Sequence, residues 1–297
     1  MSEHRARAAL IVIASGLLFG TTGTATVLAD TGASSTSIAA ARLLVGSLGL
    51  VAIAVTQREW THLVALWRRP LTWFMAIGVA GYMVFFFVAV AQGGVAIASL
   101  VSISLSPFLT GTIARLFGSS WPGRVWLVST CLAIVGVLLL GWPDGAGSDG
   151  RLLGALSGAA ASASYALYTV LGSRLVADDH HATDALAASF TIGAVLLLPM
   201  LLADVSWLAH PRGIALALWL GLMSTTLSYF MFGYGLTHLP PGIVTTLVLS
   251  EPVMATLLGV LVLDEGMPFR GWIGCLLIAA GLALVARNES KGTAAHV

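Results

Sequence analysis

The amino-acid sequence predicts an all-α integral membrane protein of ten transmembrane helices, arranged as two inverted five-helix repeats. Three observations carry this expectation. Of 297 residues, 58% are hydrophobic and only 9% charged, whereas soluble domains run near a quarter charged, so the bilayer is the solvent for most side chains. The apolar residues fall into ten runs of spanning length. The basic residues gather in alternate connections between those runs.

A spanning helix needs roughly 20 predominantly apolar residues. By that measure the spans lie at residues 8–29, 36–55, 71–91, 95–117, 125–141, 152–176, 185–203, 213–235, 242–263 and 271–286. The first follows Arg5 and Arg7, as a signal peptide would. Its apolar stretch is longer than the roughly 7–15 residues of a signal core, so it is read as a retained helix. Most connections are short and rich in turn residues: Trp142-Pro143-Asp144-Gly145, Asp178-Asp179-His180-His181, His210-Pro211-Arg212-Gly213 and Leu239-Pro240-Pro241-Gly242. The longer one, 57–70, holds Trp60 and Trp67, whose indoles suit the membrane interface. The histidine pair at 180–181 is read as solvated loop, because no second ligand cluster faces it. Cys131 and Cys275 are too few for a disulfide framework or a thiolate metal site and are read as small buried hydrophobes.

Placing the N-terminus in the cytoplasm puts ten of the 14 basic residues on that side, among them Arg5, Arg7, Arg58, Arg68, Arg69, Arg287 and Lys291. Arg151, Arg212 and Arg270 fall outside, and Arg42 lies within the membrane. This bias favours cytoplasmic termini. A shift of 145 residues lays Pro107 on Pro252 and Gly136 on Gly281. Each half, 1–147 and 148–297, then has five spans with a proline in the fourth and a glycine late in the fifth. Five is odd, so the halves enter the membrane from opposite sides, an architecture suited to alternating access around a midplane site. Pro107 and Pro252 are expected to bend their helices, since a mid-span proline frees a backbone carbonyl.

Several short motifs now add up to a resemblance. Phe19-Gly20, Arg42, Ser250-Glu251-Pro252, Leu263-Asp264-Glu265, Gly271-Trp272-Ile273-Gly274 and Ile278-Ala279-Ala280-Gly281 together resemble the EamA branch of the drug/metabolite transporter superfamily, over essentially the whole chain. Within it the chain is similar to bacterial amino-acid exporters of the YddG type. It departs from the family in having Phe19-Gly20 where Trp-Gly is common. Ser119-Ser120 in the first half also stands where the second half has Asp264-Glu265, so acid-dependent chemistry is expected in the second half alone. The resemblance implies a multi-pass protein of the bacterial inner membrane, exporting small metabolites by alternating access, with aromatic and other neutral amino acids as the expected substrates. Export of drugs or other metabolites is the alternative within the superfamily. An integral membrane enzyme is the alternative from another class, and scattered histidines disfavour it. Neither a P-loop nor a basic aromatic run is present, so neither ATP drive nor nucleic-acid binding is expected. No catalytic residue, cofactor or metal is expected either. The expected partners are a small-molecule substrate and the lipid bilayer, and ten helices can enclose a cavity as a monomer.

Two ionisable residues lie inside spans. A charge at the membrane centre costs roughly 3 kcal/mol on insertion scales, so each needs a partner or water. Glu251 lies about 13 Å into its span at ~1.5 Å per residue. It is read as a proton carrier, as a contact for a substrate amine, or as a structural acid beside Pro252. Arg42 is read as a structural charge, with a substrate carboxylate as the alternative partner. The remaining substrate-site candidates are Phe19, Tyr82, Phe86, Ser102, Ser106, Tyr165, Tyr168, Tyr229 and Ser250. Their spacings of three and four place them on shared helical faces: Ser99, Ser102 and Ser106; Tyr165 and Tyr168; Tyr82 and Phe86; Thr225 and Tyr229; Thr246 and Ser250. Hydroxyls and rings around a wet midplane cavity suit a zwitterion with an apolar side chain. Small and hydroxylic residues also pack membrane helices closely, which is the competing reading for the serines.

Overall fold

A computed structural model describes residues 2–57, 60–119, 121–141, 151–178 and 180–291. The connection 142–145, the expected boundary at 147/148, Arg58, Ser120 and Asp179 lie outside the described residues. Among those described, every regular element is helical. The α-helices are α1 (Ser2–Ala29), α2 (Ser35–Gln57), α3 (Trp60–Trp67), α4 (Pro70–Leu116), α5 (Arg124–Gly141), α6 (Arg151–Ala177), α7 (Ala182–Ala203), α8 (Pro211–Leu218), α9 (Ser228–His238), α10 (Pro241–Leu247), α11 (Ser250–Val262) and α12 (Phe269–Lys291).

Eight described segments are long and apolar enough to cross a membrane: Glu3–Ala29, Ser35–Gln57, Pro70–Gly94, Ile97–Leu116, Ala182–Ala203, Pro211–His238, Pro241–Val262 and Phe269–Ser290. The apolar part of α5, Arg124–Leu140, is shorter. The 27 residues of α6 would span about 40 Å at 1.5 Å per residue, but serines, glycines and Thr169 dilute their hydropathy. With α5 and α6 the described residues make ten crossings, numbered hereafter in chain order. The third and fourth belong to α4, which breaks at Gly94, where φ is +80°. Only glycine adopts that backbone without strain, so the chain reverses there with almost no loop.

The crossings pack in a pattern that repeats itself when the halves are exchanged. The first lies against the eighth and ninth, while the sixth, its counterpart, lies against the third and fourth. The second pairs with the seventh and the fifth with the tenth. Glycines set the register of the last pair. A Cβ on Gly136 would strike the Gly274 carbonyl at 2.5 Å and the Ile278 nitrogen at 3.0 Å. One on Gly281 would strike the Ser129 carbonyl at 2.6 Å and the Ala133 nitrogen at 3.2 Å. Those partners are themselves 145 residues apart, so the offset read from the sequence is the offset of the packing. Close approach of this kind is what small residues provide between helices in lipid, where dispersion replaces the hydrophobic effect.

Two crossings depart from regular α-helix. Between α8 and α9, residues Trp219–Leu227 form a π-helical stretch. Its cause is visible in the side chains. Thr225 donates to the Leu220 carbonyl at 2.8 Å, Thr226 to Gly221 at 3.0 Å and Ser228 to Met223 at 3.1 Å, each five residues back, so hydroxyls compete with amides for the same acceptors. The ninth crossing, expected to bend at Pro252, is split just before it, at Val248-Leu249. Pro252 has no N–H to give the Val248 carbonyl, and the Glu251 amide takes it instead at 2.9 Å, tightening the turn. Pro107, by contrast, lies inside α4 with no such interruption.

Trp60 and Trp67 sit on α3, a short helix against α7, where the Trp67 indole donates to the Ala188 carbonyl at 3.2 Å. Cys275 is buried, as expected, but Cys131 is exposed: it lies on an outer face of α5 that an apolar solvent can cover. Arg5 and Glu289 form an ion pair at 2.5 Å, with Glu289 almost fully buried. That contact brings both ends of the described chain to one face of the bundle.

Candidate functional site

The site forms where the second, third, fourth, sixth, seventh, eighth and ninth crossings converge. Arg42 is delivered to it by close packing of the second crossing on the eighth: a Cβ on Gly46 would run into the Thr225 side chain, and one on Gly221 into Val45. The Arg42 Nε–H donates to Thr225 Oγ1 at 2.9 Å and an Nη2 proton to the Ser224 carbonyl at 3.3 Å. Its guanidinium carbon lies 5.9 Å from the centre of the Phe19 ring. The π-helical stretch thus supplies both acceptors that hold the cation in place, and Thr22 ties the same stretch to α1 through Ser224 Oγ at 2.8 Å. None of these partners carries negative charge.

Around the guanidinium stands a cage of rings. Tyr168 and Tyr229 share a hydrogen bond between their hydroxyls at 2.9 Å. Tyr229 meets Phe190 at 4.5 Å and Phe19 at 4.9 Å between centroids, edge to face. Tyr165 meets Tyr168 at 5.0 Å and Tyr82 at 5.9 Å. Each such pair contributes about 0.5–1.5 kcal/mol beyond the area it buries. The cage encloses a cavity of about 10 Å³ lined by Arg42, Tyr82, Tyr168, Phe190, Thr225 and Tyr229, with Leu43, Val79 and Met83 completing the wall.

A second cavity, of about 30 Å³, lies on the other side of Tyr82. Ser102, Ser106, Tyr165, Thr245 and Glu251 line it, with Ile103, Val248 and Leu249. A water needs about 10–15 Å³ on this measure, so the two spaces hold roughly one and two waters and neither admits an amino acid. The second cavity lies on the axis of the repeat: Ser106 and Glu251 are 145 residues apart, as are Ile103 and Val248. Ile103 and Val248 are also the residues whose carbonyls lose their α-helical donor to Pro107 and Pro252. Glu251 stands in the first turn of α11, where the helix dipole favours an anion. Among the described residues Glu251 and Arg42 form no ion pair within 4 Å. The buried Tyr165 hydroxyl has no hydrogen-bond partner within 3.5 Å among the described residues.

The sequence-predicted residues divide into two groups. Arg42, Tyr82, Ser102, Ser106, Tyr165, Tyr168, Tyr229 and Glu251 line one cavity or the other. Ser102 and Ser106 also bind the fourth crossing to the sixth: Ser102 donates to the Gly158 carbonyl at 3.2 Å, and Ser106, which donates to the Ser102 carbonyl of its own helix, meets Ser162 Oγ at 3.1 Å. Phe19 stands behind Tyr229 as its support. Phe86 touches Tyr82 at 6.0 Å but lines neither cavity. Ser250 is turned away to α1, where it donates to the Ile13 carbonyl at 2.8 Å. Thr246 likewise serves packing, bound to Trp126 Nε1 at 3.0 Å and Thr130 at 2.9 Å. The tightened turn at Val248-Leu249 is the reason: regular spacing cannot be carried across it, and Thr245 faces the cavity instead. Phe190 gave no sequence signal beyond being one aromatic in an apolar run. No group of three metal-ligating side chains occurs among the described residues.

Comparison with known proteins agrees with this architecture. The EamA-like transporter family matches the chain twice, at residues 6–142 and 152–287. The uncharacterized transporter YwfM of Bacillus subtilis (strain 168) is 34% identical over 293 residues, covering 97% of each chain. The threonine/homoserine exporter RhtA of Escherichia coli (strain K12) is 28% identical over 264 residues, covering 86% of this chain and 83% of its own. A crystal structure with 21% identity superposes with a TM-score of 0.79 over 94% of this chain and 96% of the other, a likeness of fold. Two family matches that together take in nearly the whole chain, on a bundle whose halves pack by one rule, make this a multi-pass membrane transporter that belongs to the EamA-like transporter family.

Proposed function

We propose that the protein is a secondary transporter that exports neutral amino acids across the bacterial inner membrane by alternating access, with both termini cytoplasmic and the halves 1–147 and 148–297 as the rocking units. One observation carries this reading. Among the described residues, a guanidinium without a carboxylate and a carboxylate without a cation within 4 Å face adjoining central cavities. Each is costly to hold in lipid unless something completes it. A zwitterion completes both: its carboxylate takes the free edge of Arg42, and its ammonium takes Glu251 and the unpartnered Tyr165 hydroxyl. The likeness to a threonine/homoserine exporter supports the same substrate class. The narrowness of both cavities supports a closed state between the two access states, with a monomer as the working unit.

Counterflow in liposomes tests the proposal. Vesicles holding the purified protein are loaded with unlabelled threonine, and uptake of labelled threonine is followed with and without a pH gradient, for wild type and Glu251→Gln. Exchange that needs no gradient and weakens in Glu251→Gln makes Glu251 an ammonium contact. Gradient-driven accumulation lost in that variant makes it the proton carrier. Absence of amino-acid exchange by folded wild-type protein would overturn the proposal.

A further inference from the structure

Tyr82 lines both central cavities. It is the wall between the chamber that holds Arg42 and the chamber that holds Glu251. While the ring stands there, no single small molecule can reach both charges. We infer that Tyr82 is a movable partition, and that the single space opened when its ring swings aside sets the upper size of the amino acid carried. This inference rests on the amino-acid reading above.

The surroundings decide which part of the wall moves. Tyr168 and Tyr229 are tied hydroxyl to hydroxyl, and Arg42 is fixed at two points on the eighth crossing. The Tyr82 hydroxyl has no hydrogen bond among the described residues, and the aromatic rings it meets there are those of Phe86 and Tyr165. Its backbone is held fast. A Cβ on Gly78 would lie 3.0 Å from the Tyr168 Cβ, and one on Gly81 would lie 3.1 Å from Ser164 Oγ, so the third crossing cannot slide far on the sixth. The side chain is therefore free to turn where the helix is not. Beside it Met83, flexible and on the wall of the Arg42 chamber, can repack into whatever space the ring vacates or takes. The merged space is the two small chambers plus the volume that the displaced ring leaves, so the site favours small neutral amino acids over aromatic ones.

The test is a selectivity ratio, the rate of phenylalanine counterflow divided by that of threonine, measured in the same proteoliposomes. Tyr82→Ala removes the partition and raises the ratio by about tenfold or more, the scale on which a hydrophobic site discriminates by size. Tyr82→Phe keeps the bulk, and its ratio stays nearer wild type than that of Tyr82→Ala. If Tyr82→Ala does not yield folded protein, Tyr82→Leu replaces it with the same expectation in direction. An unchanged ratio in folded Tyr82→Ala or Tyr82→Leu, with wild type still exchanging threonine, overturns the partition and leaves the amino-acid reading standing. An equal shift in Tyr82→Phe assigns the effect to the hydroxyl and also overturns it. Absence of any amino-acid exchange by wild type overturns both.

Discussion

Arg42→Gln isolates the part of the site that makes it a receptor for a carboxylate. The guanidinium spends its Nε–H on Thr225 and one Nη2 proton on the Ser224 carbonyl, which leaves the rest of its five N–H donors for the cavity. A hydrogen bond to a charged group contributes about 1.5–3 kcal/mol net. At about 1.4 kcal/mol per tenfold, losing the charged contact weakens threonine binding by roughly 10- to 150-fold. The matched comparison is threonine against threoninamide, which keeps the ammonium and the hydroxyl but lacks the anion. Wild type favours threonine by that factor in the concentration dependence of counterflow, and Arg42→Gln brings the two ligands close together. Arg42→Lys falls between them, since it keeps the charge and loses the planar fork. Gln preserves polarity toward Ser224 and Thr225, so the π-helical stretch keeps a donor. Undiminished discrimination by folded Arg42→Gln would refute the argument and return Arg42 to a purely structural role.

Other consequences can be checked separately. Gly281→Leu places a Cβ about where the Ser129 carbonyl lies, at 2.6 Å, and overpacking of this kind costs about 1–3 kcal/mol or more, so the detergent-solubilised protein melts at lower temperature. Glu289→Gln breaks the pair with Arg5, whose side chain is 33% exposed against 5% for its partner. The expected loss of about 1–3 kcal/mol lies between that of exposed and fully buried pairs, and chemical denaturation reads it. At the opposite face, the Ser34 backbone N–H, and then its hydroxyl, hold the Asp204 carboxyl below its usual value of 3.8. The depressed carboxyl stabilises the loop fully above that value and loses its effect as pH falls through the lower one. Hydrogen exchange should show Ser34 amide protection declining only in strong acid, and already diminished in Asp204→Asn at neutral pH.

What the sequence makes legible follows from which physical signals are periodic. Hydropathy locates every crossing to within a few residues, because the bilayer imposes a length on each. The repeat is legible from four residues, Pro107, Pro252, Gly136 and Gly281, since helix-breaking and close packing tolerate few substitutes. Of the eleven residues expected at the site or as a buried charge, eight line its cavities. Phe19, Ser250 and Phe86 do not: Phe19 backs Tyr229, and the other two misses each have a local cause. The turn at Val248-Leu249 alters the facing of everything beyond it, and no periodicity rule anticipates a backbone that changes its hydrogen-bond step. Phe86 shares a face with Tyr82, but that face passes out of the cage one turn later. The anchoring of Arg42 was hidden for a similar reason: Thr225, Thr226 and Ser228 look like ordinary packing residues until their hydroxyls are seen taking carbonyls five places back.

That π-helical stretch also has a meaning for how the gene can change. A π-helical turn holds one residue more than the α-helical turn it replaces, so deleting one codon within 219–227 would let the eighth crossing revert to regular helix with its ends nearly unmoved. The helices on either side would keep their facing, and only the residues inside the stretch would change theirs. Tyr229 would keep its place while the residues facing Arg42 rotated away. A single-codon deletion is therefore an evolutionary step open to this fold that would exchange the charge chemistry of the site in one event and leave its aromatic cage intact.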